Sequence, residues 1–265
     1  MNVQRITSDN NPKLKSALRL HSSRGRKQQN RIVIFGLAEI SRAIQSRVPI
    51  QEVFFDESRP LPDFLKSAES GNFYEMPSSL FEKLVFGDRN DGLVAIAQRP
   101  ESSFADFTFS ENAVIVVLQG LEKPGNVGAV FRSADAAGAE AVFLADPVTD
   151  AFHPNAIRAS LGTVFSMPTL AVTSSALLEF LKQQKFQVLS ACLDVKQDFF
   201  DLDLNPRTAL VLGNEKRGLT LDWRQGDAVP FQLPMRGAGD SLNVSATAAI
   251  LVYEAMRQRH PARSE

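Results

Sequence analysis

Three segments of this 265-residue chain combine glycines with polar side chains that could do chemistry. The first is Leu118-Gln119-Gly120-Leu121-Glu122-Lys123-Pro124-Gly125-Asn126-Val127-Gly128-Ala129-Val130-Phe131-Arg132, where glycines at 120, 125 and 128 permit close backbone approach. In it a carboxamide, Asn126, stands six residues before a guanidinium, Arg132. Alone, Asn126 reads as a helix cap and Arg132 as a surface charge. The second segment, Leu212-Gly213-Asn214-Glu215-Lys216-Arg217-Gly218-Leu219, is a glycine-bracketed loop directly after an apolar run, and alone it reads as a turn. The third, Leu233 to Glu254, passes from the glycine-rich Arg236-Gly237-Ala238-Gly239-Asp240 into Ser241-Leu242-Asn243-Val244-Ser245 and a helix opening on small residues, which can pack tightly against another backbone. Each segment follows the carboxyl end of an expected strand, where open parallel sheets place their ligands.

What is missing narrows the chemistry. No Gly-x-Gly-x-x-Gly follows the first strand of either half, and no Gly-x-x-x-x-Gly-Lys-Ser/Thr occurs, which weakens dinucleotide-dehydrogenase and P-loop readings. His21, His153 and His260 are scattered, and with Cys192 they give no metal-site spacing. No Gly-x-Ser-x-Gly elbow supports a serine triad. A single cysteine allows no internal disulfide and points to a reducing compartment, and Cys192, inside Val188-Leu189-Ser190-Ala191-Cys192-Leu193, reads as a small core residue. The N-terminus lacks a basic stretch followed by a long apolar one, and no run of about 18 apolar residues occurs, so a soluble cytoplasmic protein is expected.

The elements that must position these segments fall into two α/β units. Asn11 and Pro12 open an amphipathic helix over Lys13 to Leu20. Strands at 31–35, 51–55, 73–76 and 93–97, with helices at 37–47, 62–69 and 78–85, complete a small unit ending near Gln98. The polar stretch 99–112 reads as a linker. From 113 the uninterrupted run Val114-Ile115-Val116-Val117-Leu118 starts a second unit with a buried parallel sheet. Further strands are expected at 141–144, 186–193, 209–212 and 229–233, and helices at 126–138, 174–184 and 241–259. Net charge is −1, but residues 1–31 hold eight basic side chains against Asp9 alone, a local +7 that leaves −8 for the rest. That arm is either a solvated basic face or a phosphate-contacting one.

Asn126 to Arg132, Leu212 to Gly218 and Ser241 to Ser245 resemble, in order, the three motifs of the SpoU/TrmH family of SPOUT RNA methyltransferases, a likeness covering about residues 113–259. The N-terminal half is similar to the substrate-binding domain, related to RNA-binding ribosomal proteins, of many members; Phe35 before Gly36 departs from an acidic residue common there. The resemblance implies a C-terminal α/β trefoil-knot domain (113–265), joined by a linker (99–112) to a smaller N-terminal α/β RNA-binding domain (1–98). It implies S-adenosyl-L-methionine held by Gly213, Leu233, Leu242, Leu212, Met235 and Asn243, with no metal. It implies transfer to a ribose 2′-hydroxyl, with Arg132, Asn126, Glu215 and Asn243 as the catalytic set. An arginine with a pKa above about 12 serves poorly as a general base. Arg132 is therefore expected to grip the adjacent phosphate and stabilise the oxyanion. Thr247 is expected to affect packing more than chemistry. The substrate is expected to be RNA, ribosomal rather than transfer RNA, and the protein a homodimer paired through 241–259. The alternatives are a tRNA 2′-O-methyltransferase, a base-nitrogen methyltransferase and a catalytically inactive RNA-binding protein on the same scaffold.

Overall fold

Runs of β-branched and aromatic residues, each broken by turn residues, build two sheets in the computed structural model, which describes residues 3–66, 71–87 and 90–259. The chain separates into two compact units, one of residues 1–100 with 152–166 and one of 101–151 with 167–265. No helix among the described residues is long and apolar enough to cross a membrane.

In the first unit the strands are β1 (Val3–Arg5), β2 (Arg31–Phe35), β3 (Ile50–Asp56), β4 (Asn72–Met76) and β5 (Leu93–Gln98), in the spatial order β1-β4-β3-β5-β2. The β1, β4 and β3 pairings are parallel, whereas β5 runs antiparallel to both β3 and β2. The helices are α1 (Pro12–Arg19), α2 (Ser23–Gln29), α3 (Leu37–Gln45), α4 (Asp63–Lys66) and α5 (Ser78–Phe81). Asn11 caps α1 by accepting the Lys13 N–H at 2.8 Å, with Pro12 in the first turn. Gly36, at φ 95°, makes the turn from β2 into α3, a conformation that glycine adopts at no steric cost. The expected helix at 78–85 is shorter, breaking after Phe81, and of the one expected at 62–69 residues 67–70 lie outside those described. Several of the eight basic side chains near the N-terminus are tied down: Arg5 pairs with Glu57, while Lys13 and Arg31 both reach Glu52 at 2.8 Å. The buried Arg26 donates to the Leu20 and His21 carbonyls at the end of α1. Lys15, Arg19, Arg24 and Lys27 remain exposed.

The second unit is an all-parallel sheet of β6 (Val114–Gln119), β7 (Ala141–Ala145), β8 (Thr169–Val172), β9 (Gln187–Ala191), β10 (Thr208–Leu212) and β11 (Ala228–Phe231), ordered β11-β9-β10-β6-β7-β8. Strand order reverses beside β6, so β10 and β6 end side by side, Leu212 level with Leu118. Its helices are α6 (Pro124–Ala136), α8 (Ser174–Gln183) and α9 (Val244–Arg259); α6 and α9 pack on each other. The remaining helix, α7 (Pro154–Ala159), groups with the first unit, where Arg42 donates to the Leu161 carbonyl at 2.5 Å and Arg99 lies over the Phe152 ring.

Three expectations need correction. Residues 99–112 are not merely a polar linker, because Phe107 is buried and Phe104 and Phe109 pack beside it against Phe180, Phe143 and Phe186. The last helix begins at Val244 rather than 241, since Asn243 accepts from the Ser245 N–H and so ends the preceding loop as a cap. Asn126 is not a cap: Lys123 holds that place, Pro124 follows it, and Asn126 stands inside the first turn of α6.

Candidate active site

Removing Asn126 from the capping position frees its side chain for another task. Its carboxamide nitrogen donates to the Glu215 carboxylate, and its oxygen accepts from Asn243 Nδ2 at 3.4 Å. Asn126 of the first glycine-associated segment thus meets a residue of each of the other two, although 89 and 117 positions separate it from these partners. Asn126 is half-buried, while Glu215 and Asn243 are open to solvent.

The loop bearing Glu215 is held by its neighbour. Asn214 is buried, and its Nδ2 donates to the Gly120 carbonyl at 3.0 Å, tying the end of β10 to the end of β6. Its Oδ1 accepts from the Lys216 and Arg217 N–H groups at 2.9 and 3.2 Å, and its carbonyl from the Gly218 N–H at 2.8 Å. Arg217 pairs with Glu122 at 3.2 Å across the same gap. Gly213 sits against this hairpin so closely that a Cβ would lie 2.6 Å from the Gly218 carbonyl carbon.

A cavity of about 350 Å³ opens at the carboxyl ends of β9 and β10 and beside the loop after β11. Leu212, Gly213, Glu215, Leu233, Met235 and Leu242, all singled out from the sequence, line it. Asn243, Asn126 and Arg132 do not; Asn126 stands one hydrogen bond away through Glu215, and Asn243 one further through Asn126. Arg132 is not brought to the site. It lies on α6 six residues past Asn126, about 240° further round at roughly 100° per residue. It is exposed, with no hydrogen bond or ion pair to the described residues.

The far wall went unread in the sequence. Cys192, expected as a core residue, is half-buried and lines the cavity with Asp194, Arg224 and Thr247. Arg224 Nη2 donates to both Asp194 oxygens at 2.5 and 2.6 Å, and this bond holds the Asp194 carboxyl below the usual carboxylate range. Burial pushes the Cys192 thiol up, so the lining sulfur is a neutral thiol at pH 7. The one sequence signal for Asp194 was its place just beyond the end of an apolar strand. Thr247 Oγ1 reaches the Asn243 carbonyl at 3.3 Å, so this residue is part of the wall as well as of the packing.

The ligand types this arrangement suits are narrow. Leucines, a methionine and a glycine-backed loop make apolar walls with close main-chain access, and the volume falls within the range of small-molecule sites. A carboxylate held by one carboxamide, itself held by a second, provides acceptors and donors at the mouth for a second, polar substrate.

Comparison with known proteins gives the same site a family. Residues 113–253 match the SpoU rRNA Methylase family, and residues 11–95 match the MRM3-like substrate binding domain. A 23S rRNA (uridine(2479)-2′-O)-methyltransferase of Streptomyces viridochromogenes is 28% identical over 275 residues, covering 99% of this chain and 95% of that protein. The crystal structure of an RNA 2′-O ribose methyltransferase superposes with TM-score 0.83 at 39% identity, covering 97% of this chain and 99% of the other. An AdoMet-bound rRNA methyltransferase from Sinorhizobium meliloti superposes with TM-score 0.89 at 26% identity, over 98% and 99% of the two chains.

Proposed function

The chain belongs to the SpoU rRNA methylase family, and from that premise we propose that it transfers a methyl group from S-adenosylmethionine to a ribose 2′-hydroxyl of ribosomal RNA in the cytoplasm. The observation that carries this reading is the joining of Asn126, Glu215 and Asn243 at the mouth of a cavity walled by Gly213, Leu233 and Leu242.

The residues fit the cofactor. Where a Cβ at Gly213 would strike the Gly218 backbone, the bare glycine leaves the main chain accessible to an adenosyl group, with Leu212, Leu233, Met235 and Leu242 as apolar walls. S-adenosylmethionine supplies an electrophilic methyl on a sulfonium that is its own leaving group. The chain's work is therefore orientation, proton handling and charge stabilisation. Glu215, fixed by Asn126, is placed to accept a hydrogen bond from the incoming ribose, and Asn243 secures the carboxamide that fixes it. Arg132 grips the phosphate next to the target hydroxyl and stabilises the oxyanion.

The orientation of Arg132 supports a site completed in trans by a homodimer. It is exposed about 120° round α6 from its own chain's Asn126, and α9, which packs on α6, leaves Tyr253 48% exposed. The threaded knot of the family's fold is part of the same proposal, with the segment after β11 as the threaded one. Residues 1–98 act as the RNA-holding domain, with Lys15, Arg19, Arg24 and Lys27 as its phosphate contacts.

The test is methyl incorporation. Purified protein with labelled S-adenosylmethionine should modify ribosomal RNA lacking the mark, and a nucleoside digest should yield a 2′-O-methylated nucleoside. Label in a base, or in transfer RNA only, would sink the proposal. Light scattering that shows a monomer at micromolar concentration would remove the dimer.

A further inference from the structure

A buried hydrogen-bonded arm runs from the cavity's far wall to a carboxylate that is not among the residues lining it. The short helical turn Leu221–Trp223 lies between Leu219 and Arg224, both of which line the cavity. At its C-terminal end the fully buried Trp223 donates its indole N–H to Ser174 Oγ at 2.8 Å. Ser174, 3% exposed, in turn donates its hydroxyl to Asp146 Oδ2, and its backbone N–H reaches Asp146 Oδ1 at 3.0 Å. At the other end the Thr220 N–H approaches Gln119 Oε1 at 3.4 Å. Gln119 itself is 6% exposed at the end of β6. The C-terminal flank of the turn is thus referred back to Asp146, which stands just past β7 with φ 44°, a left-handed conformation that aspartate tolerates better than most residues.

The polarity of the arm is consistent throughout. Indole to hydroxyl to carboxylate is one donor chain, and an acceptor-only group terminates it. Burial pushes the Asp146 carboxyl up, but the bonds from Ser174, with Gln119 beside them, outweigh that and leave it below the usual carboxylate range. It is ionised at neutral pH, and bonds to an ionised acceptor are the stronger kind.

We propose that Asp146 is a positioning residue for cofactor binding: through Ser174 and Trp223 it sets the place of the adjoining Arg224 and its partner Asp194 in the cavity wall. This rests on the reading of the cavity as the S-adenosylmethionine site. The role is distinct from general support of the fold, because what it fixes is one wall of one pocket.

The experiment uses the full-length protein and S-adenosylmethionine as the titrant in calorimetry. Asp146→Ala and Ser174→Ala should each weaken binding on the order of ten-fold, the worth of a hydrogen bond to a charged group. Trp223→Phe, which keeps the ring's bulk and loses the N–H, should weaken it by a few-fold. Asp146→Asn, of similar shape but neutral, should fall between wild type and Ala. In methyl transfer the KM for S-adenosylmethionine should rise in step while kcat at saturation stays within about two-fold. The Asp146→Ala/Ser174→Ala pair should be no worse than the poorer single, as for members of one chain. Trp223 is the sole tryptophan, so its emission should move to the red in Asp146→Ala and Ser174→Ala. Wild-type affinity in both Ala variants, or loss of kcat with affinity intact, overturns the proposal. Should Asp146→Ala fail to fold, Ser174→Ala and Trp223→Phe decide it alone. If the wild type binds no S-adenosylmethionine, the reading of the cavity falls first and this proposal with it.

Discussion

Gly213→Ala should damage the cavity by pushing on backbone rather than on a side chain. Gly213 lies outside the left-handed region, so alanine meets no torsional penalty there and the obstruction is steric. The added Cβ would stand 2.6 Å from the Gly218 carbonyl carbon and 2.7 Å from both its oxygen and the Leu219 nitrogen. Carbon contacts rest near 3.5–4.0 Å, so the Gly218–Leu219 peptide must retreat by about 1 Å. It is not free to do so, because the Gly218 N–H is bonded to the Asn214 carbonyl and Asn214 is bonded to Gly120. Overpacking of this kind costs about 1–3 kcal/mol. At about 2–4 °C per kcal/mol for large domains, the melting temperature should drop by roughly 2–12 °C. Since the displaced peptide is cavity wall, affinity for S-adenosylmethionine should fall on the order of ten-fold or more. Thermal scans and calorimetry should be run beside Gly125→Ala, whose Cβ meets nothing within 4 Å. That control should match or exceed wild-type stability, since alanine suits a helix better by about 0.5–1 kcal/mol. Wild-type melting and wild-type affinity in Gly213→Ala would refute the reasoning.

Mixing Arg132→Ala with Asn126→Ala subunits should restore activity to about a quarter of the sites after random exchange, as expected when each site draws on both copies of a two-fold dimer; no recovery would place Arg132 in its own chain's site. Arg132→Lys should keep some transfer activity where Arg132→Ala loses nearly all, and because Arg132 is exposed and unpaired among the described residues, neither should move the melting temperature or cofactor affinity appreciably. Asn243→Ala, which strips Asn126 of a partner and α9 of its cap, should cut methyl transfer at least ten-fold while lowering melting by about 1–8 °C. His21 offers a pH test: burial, against a Leu84 carbonyl bond and with Arg26 nearby, lowers its pKa below the ordinary 6.5. The unfolded chain therefore binds this proton more readily, so stability of the first unit should be full above about pH 6.5 and decline as pH falls below it. His21→Phe should flatten that part of the denaturation profile, and an unchanged pH dependence would remove His21 as its source.

Much of this architecture could be read from local pattern, and the exceptions have physical reasons. The run Val114 to Leu118 is buried along its whole length because parallel strands are covered on both faces. Thr173 caps α8 and Asn11 caps α1 as local side-chain chemistry dictates. Four-residue β8 and six-residue α7 carry too few residues to show a period, and α7 owes its place to packing in the first unit. Phe104, Phe107 and Phe109 were visible in the segment read as a linker, but polar neighbours on both sides masked a stripe that only Phe143 and Phe180 make into core.

The site divides the same way. Its near side is carried by short-range motifs, and the structure joins Asn126, Glu215 and Asn243 as their shared position after three strands requires. The offset that mattered was three residues. With Pro124 opening α6, Asn126 points its amide into the site instead of spending it on its own helix, and the same helical geometry carries Arg132 to the other side. The far side, Asp194 with Arg224, arises because β11 returns beside β9, a long-range pairing that no local pattern encodes. The buried arm to Asp146 has that same origin, in residues 28 and 49 positions apart. A variant at Asp146 therefore probes the part of the site that topology, and not motif, supplies.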